Sequence, residues 1–287
     1  MPQTINTNLN SLNAQRNTGA SQTALALSMQ RLSSGLRVNS AKDDAAGLAI
    51  AERMTAQVRG MNVAIRNAND GISMSQTAEG AMGKVADSLQ RMRELSVQSA
   101  NATNSDTDKD SLDKEFGELA KEIQRVLGGT TFNGKHMLGA DAGSFIFQVG
   151  ANTTTDDTIN IDTTDLTADA TISVVAGTDN QGAGRAVIGS GTTISQVQGV
   201  IDQIDTSLST VNDKRAVMGA SQSRFDSVIM NLQSSVENQI SAKSRIMDTD
   251  FASETANLSR AQILQQAGNA MIAQANQLPQ QVLTLLR

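Results

Sequence analysis

The chain has 287 residues, a net charge of −6 and only 2% aromatics, with six Phe, no Trp and no Tyr. The absence of Cys removes disulfides, thiolate metal sites and cysteine nucleophiles, and a single histidine, His136, removes any site needing two imidazoles. The acidic balance argues against a nucleic-acid binder, and there is no run of about 18 apolar residues to cross a membrane as a helix.

Residues 1 to 42 carry Arg16, Arg31, Arg37 and Lys42 but no acid. Apolar positions at Ile5, Leu9 and Leu12, then at Leu25, Met29, Leu32 and Leu36, step by three and four, which predicts a helix. The segment lacks the apolar stretch and small-residue cleavage site of a secretory signal peptide. Its basic, Ser-rich character leaves an organelle transit peptide as an alternative. Gly35 and Gly47 flank "LRVNSAKDDAA", which interrupts the period and predicts a non-helical connection.

A second helical seam runs through Met54, Val58, Met61, Ile65, Ala68 and Ile72, then Met82, Val85, Leu89, Met92 and Leu95. "NSDTDKDS" breaks it, with Ser105 or Asp106 able to cap a new helix whose seam is Leu112, Phe116, Leu119, Ile123 and Val126. Beyond residue 130 the helical period disappears. "SFIFQVGAN", "DTINID" and "ATISVV" alternate apolar with polar and predict short strands. The longest seam follows, through Ile194, Val197, Ile201, Ile204, Leu208, Val211, Met218, Phe225, Ile229, Leu232, Val236 and Ile240. Steps of three, four or seven over that distance predict a coiled-coil helix roughly 70 Å long, at about 1.5 Å per residue. The last run is Leu264, Ala267, Met271, Ala275, Leu278, Val282 and Leu285, and Pro279 inside it is expected to kink or end the helix. Residues 255 to 287 carry only Arg260 and Arg287 as charges. Two charge-poor amphipathic ends are expected to pair with each other, leaving further stripes for assembly between copies.

Catalytic signatures are weak. "GTTFNGKH" at Gly129 to His136 matches a phosphate loop except that His136 replaces the Mg²⁺-binding Ser or Thr, and it follows a helix where that loop follows a strand. It predicts a helix-ending turn instead. Asp106, Asp108 and Asp110 imitate a calcium loop, but Ser111 and Gly117 stand where Gly and Glu are required. No catalytic, metal or cofactor site is predicted.

The strings "INTNLNSLNAQRN", "RLSSGLRVNSAKDDAAGLAIAERM", "LQRMRELSVQSANATNS", "FNGKHML" and "FQVGAN", with "SRIMDTDFASETANLSRAQILQQAGNAMIAQANQLPQQVLTLLR" at the other end, resemble bacterial flagellin. They cover roughly the first 165 and last 95 residues, leaving about 25 near residues 166 to 190 outside the pattern. The resemblance implies a short form without variable outer domains: a mainly α, long antiparallel coiled-coil rod, a small β-region at its distal end, and a terminal coiled coil made from both chain ends. The implied boundaries are 1–42 and 247–287 for the core-lining halves, and 43–190 with 191–246 for the rod.

The function so implied is structural, a subunit polymerising helically with itself into the filament used for swimming. Ile5, Leu9, Leu12, Leu25, Met29, Leu32, Leu264, Met271, Leu278, Val282 and Leu285 are the expected assembly positions. Other implied partners are a flagellar export chaperone, the filament cap and the hook-junction proteins, with export by the flagellar type III route and no cleaved signal. Arg91, Leu95 and Glu115 stand where the family is read by an innate-immune Toll-like receptor, although Leu95 fits seam packing equally well. Leu283, Leu285 and Leu286 resemble the leucines sensed by inflammasome receptors, or simply end the helix. A hook–filament junction protein and a non-filamentous coiled-coil adaptor stay open as alternatives.

Overall fold

The computed structural model describes residues 7–285, with side chains as far as Gln277. The chain is mainly α. Its elements in order are α1 (Leu9–Ser34), α2 (Ala45–Ser99), α3 (Asp106–Gly129), β1 (Thr131–Phe132), β2 (Lys135–His136), β3 (Ser144–Gln148), β4 (Thr158–Asp162), α4 (Ala170–Ala176), α5 (Ile194–Met247) and α6 (Phe251–Leu285). Two compact units form, one from residues up to Val58 together with those from Glu237, the other from Arg59–Val236.

In the Arg59–Val236 unit the long seams turn inward. Met82, Leu89 and Met92 of α2, Phe116 and Ile123 of α3, and Ile204, Val211 and Phe225 of α5 are fully buried in one core. α2 and α5 run antiparallel, tied by Arg93 to Asp205 at 2.6 Å and by Gln222 to Glu79 at 2.9 Å. Aliphatic and Met side chains suffice because a two-helix seam is narrow. Between α2 and α5 the bulky side chain is Phe225, which packs edge-on to Phe147 at 5.6 Å and lies over Gly71. A Cβ at Gly71 would stand 2.7 Å from that ring, so glycine is what admits it.

α3 opens with a capping box, Ser105 accepting from the Asp108 N–H while Asp108 accepts from Ser105. It ends at Gly129, and Asn133 and Gly134, both at positive φ, turn β1 into β2. This is the conformation that favours Asn-Gly hairpins. "GTTFNGKH" is therefore a helix end and a hairpin, with His136 Nδ1 2.6 Å from the Gly128 carbonyl. β3 and β4 pair antiparallel, with Phe145 opposite Ile161 and Phe147 opposite Ile159. These four face inward or are half-buried, while Ile146 opposite Asn160 is exposed.

Three expectations are corrected. "ATISVV" is not a strand but α4: Asp169 caps it by accepting from the Thr171 N–H, and Ile172, Val175 and Ala176 share one buried face. The α5 seam stops short of its predicted ends, since Ile194 and Ile240 are 52% and 51% exposed. Pro279 does not end α6, which continues to Leu285.

Close packing at Gly71 is testable against an open glycine on the same helix. Gly71→Val should lower the stability of the Arg59–Val236 unit by about 1–3 kcal/mol. Gly80→Ala, where nothing lies within 4 Å of a new Cβ, should raise it by about 1 kcal/mol. Thermal melts of both variants decide it.

Candidate assembly surface

The two chain ends form an antiparallel helix pair. Asn8 donates to the Ala275 carbonyl, Ser11 donates to the Asn276 side chain, and Arg31 approaches Glu254 at 3.8 Å. The residues between these points define the seam. On α1 the inward positions are Ser11, Ala14, Thr18, Ser21, Leu25, Ser28 and Leu32, and on α6 they are Glu254, Leu258, Ala261, Gln265, Gly268, Ile272 and Ala275. Both series step by three and four, the period of a coiled coil. Most members are small or polar. A Cβ on Gly268 would collide with the Thr18 hydroxyl, so the backbones approach closely there.

The large apolar side chains mostly lie elsewhere. Leu9, Leu12 and Met29 are 68%, 50% and 57% exposed on α1, and Ile263, Leu264 and Met271 are 65%, 51% and 62% exposed on α6. Of the predicted assembly positions, Leu9, Leu12, Met29, Leu264 and Met271 thus face outward, while Leu25 and Leu32 are half-buried in the pair. Ile5 lies outside the described residues, and Leu278, Val282 and Leu285 lie beyond the described side chains.

Between α1 and α2, Gly35 adopts φ 69° and ends the first helix. Arg37 and Val38 then donate backbone N–H groups to the Met247 carbonyl, and Thr249 donates to the Gly35 carbonyl. Val38, Ala51 and Met247 form the small core behind this connection. Asp43 accepts from the Ser40 and Asn39 N–H groups, and these bonds hold its carboxyl below the ordinary range.

The positions matched to receptor recognition fall on α2 and α3. Arg91 bridges Glu94 and Glu115 at 2.9 and 2.8 Å, and all three are exposed. Those carboxylates push the Arg91 guanidinium pKa further up. Leu95 is 1% exposed and belongs to the core, so it offers no surface. Leu283 lies beyond the described side chains, as does Leu285, and Leu286 lies outside the described residues altogether.

Two residues back along α3, Asp113 holds Arg185 through two bonds of 3.0 and 2.6 Å and accepts from the Ile188 N–H. Asp110 accepts from the Ser190 N–H, and Ser99 donates to the Ile188 carbonyl. Nothing in the sequence flags this latch, because its partners are 72 residues or more apart. It closes residues 185–190 onto the core, so that the stretch outside the resembling strings, with buried Leu166, Ile172, Val175 and Ile188, is part of the fold.

Models of the bacterial flagellin N-terminal and C-terminal helical regions match residues 5–142 and 201–286. The chain is 45% identical to a flagellin of Halalkalibacterium halodurans over 99% of both chains. The chain belongs to the bacterial flagellin family. It is 42% identical to a flagellin of Xenorhabdus nematophila along the full length of both, and at 287 residues it is a short flagellin. A solved structure assigned as a flagellar hook-associated protein of Vibrio parahaemolyticus shares the fold, with TM-score 0.59 and 12% identity over 72% of this chain and all of that one. Flagellins are structural proteins, and this one is a subunit of the flagellar filament.

The latch makes a pH prediction. Burial raises the Asp113 pKa, but the Arg185 and Ile188 hydrogen bonds and the Arg185 charge outweigh it and hold the carboxyl below its ordinary value. A depressed folded pKa gives stability that is present above the unfolded value of about 4 and is lost as pH falls through the folded one. Asp113→Asn should therefore cost about 1–3 kcal/mol at pH 7 and flatten the acid limb of the stability curve, as read by chemical denaturation from pH 7 to 2.

Proposed function

We propose that the outward faces of α1 and α6 are the surfaces through which copies of this chain bury apolar area in the flagellar filament. The supporting observation is the inversion of the terminal pair, with mostly small or polar residues at its seam and most of its large Leu, Ile and Met side chains on its outside. Each such side chain contributes about 1.5–3 kcal/mol when buried, and a single subunit leaves that undrawn. Neighbouring copies supply the missing cover. The same stripe extends by sequence to Ile5, Leu278, Val282 and Leu285. The Arg59–Val236 unit has its own core and needs no neighbour to complete it.

Met271→Glu or Leu12→Glu should abolish polymerisation at subunit concentrations where the unaltered protein forms filaments. The melting of the Arg59–Val236 unit should not move. Filaments of ordinary stability from either variant would contradict the assignment.

Family membership supports the remaining partners: an export chaperone that covers the C-terminal helix, the flagellar type III export route, and cap and hook-junction proteins at the two ends of the polymer. The leucines Leu283, Leu285 and Leu286 as an inflammasome signal rest on the same resemblance. For the Toll-like receptor, the exposed Arg91 and Glu115 are the proposed contacts, with Leu95 acting only through packing. Arg91→Ala combined with Glu115→Ala should lower receptor signalling at least tenfold without shifting the melt, a loss of about 1.4 kcal/mol or more. Unchanged signalling would remove the proposal.

A further inference from the structure

Pro279 lies inside α6, and its nitrogen carries no hydrogen. In a continuous helix the residue at 279 would donate to the carbonyl four positions back, which is Ala275. That carbonyl is not left unpaired. Asn8, the residue that caps α1, donates its Nδ2 to the Ala275 oxygen at 2.7 Å, and its Oδ1 accepts from the Ser11 N–H at 3.1 Å. Ser11 in turn donates to Asn276, the next residue along α6.

We propose that Pro279 and Asn8 form a register clasp, in which the proline frees one carbonyl in α6 and the N-cap of α1 occupies it. The inference rests on the filament reading, since its readout is polymerisation.

The need for such a device follows from the seam. Register in a coiled coil is fixed where large side chains interlock or a buried polar group demands its partner. The inward positions here are mostly Ser, Thr, Ala and Gly, so apart from the close fit of Thr18 against Gly268 few large side chains oppose a slip of one heptad. A slip would carry Leu9 and Leu12 about 10 Å along α6, at about 1.5 Å per residue, and break up the outward stripe that Ile263, Leu264 and Met271 continue. Ahead of the last turn of α6, whose carbonyls also lack helical donors, Pro279 leaves one carbonyl without a helical N–H, so a donor that takes it favours one register. Arg31 and Glu254 at the other end are too far apart for a close ion pair, at 3.8 Å, and the Arg31 Nε is buried without a partner. The specific bonding is concentrated at the Asn8 end.

Asn8→Ser separates the two roles of this residue, because Ser caps a helix about as well as Asn but is too short to reach α6. The clasp predicts that Asn8→Ser raises the critical concentration for polymerisation about fivefold, the equivalent of one hydrogen bond of about 1 kcal/mol. In a Pro279→Ala background the new N–H competes for the Ala275 carbonyl, and the same Asn8→Ser change should then have a clearly smaller effect. An equal effect in both backgrounds, or none in either, overturns the clasp.

Should Pro279→Ala itself fail to polymerise, isotope-edited infrared spectroscopy of filaments ¹³C-labelled at the Ala275 carbonyl decides the matter. Asn8→Ser should move that band to higher frequency, and an unmoved band overturns the proposal. Failure of the unaltered protein to polymerise would instead count against the filament reading.

Discussion

The rest of the structure depends on how weakly the two chain ends hold each other. Small residues allow α1 and α6 to approach closely, as Gly268 does beside Thr18, but they bury little apolar area in doing so. The stabilisation available from Leu9, Leu12, Met29, Leu264 and Met271 is left on the outside. The charge pattern agrees with that division. Acids are absent from residues 1 to 42 and from residues 255 to 287, which suits faces that another copy will cover, because a buried unpaired charge costs several kcal/mol.

The Arg59–Val236 unit follows the opposite rule. Most of its Met, Leu, Ile and Phe side chains point inward, buried serines donate to nearby carbonyls, as Ser75 does to Gly71 and Ser96 to Met92, and its charges lie mostly outside, some in short ion pairs. Its long helices are closed by the β3–β4 hairpin at Phe147 and Phe225 and by α4 with the Asp113–Arg185 latch. One unit thus buries its large apolar side chains within a single chain, and the other leaves most of its own exposed. On the proposed reading, a filament subunit uses both: a body with its own core, and ends whose burial depends on the polymer.

Much of this was legible in the sequence. The three- and four-residue steps located α2, α3 and α5, Ser105 marked a helix start, and Gly35 marked the start of a break that ends at Ala45, two residues before Gly47. Asn133–Gly134 carried a hairpin signal that spacing alone could have named. What periodicity could not supply was phase at the termini. It marked Leu9, Leu12 and Met29 as one stripe, yet the inward positions are Ser11, Thr18 and Ser28, because an apolar stripe shows that something covers it and not what does. "ATISVV" alternated by accident over too few residues, and the Asp169 cap with the Ile172, Val175 and Ala176 spacing was the better signal. Leu95 shows the limit of a string match, which aligns positions without telling a core side chain from a surface one. The Asp113–Arg185 pair and the Asn8 contact to Ala275 join positions 72 and 267 apart, which no local pattern reaches.

Methionine oxidation in the free subunit and in the polymer tests the central claim most directly, because a thioether reacts where solvent peroxide reaches it. Met29 and Met271 are 57% and 62% exposed, while Met82 and Met92 are fully buried. Peptide mapping should find Met29 and Met271 oxidised in the subunit and protected in the filament, with Met82 and Met92 protected in both. Equal oxidation of Met29 and Met271 before and after polymerisation would show that the outward stripes are not the surfaces that assembly buries.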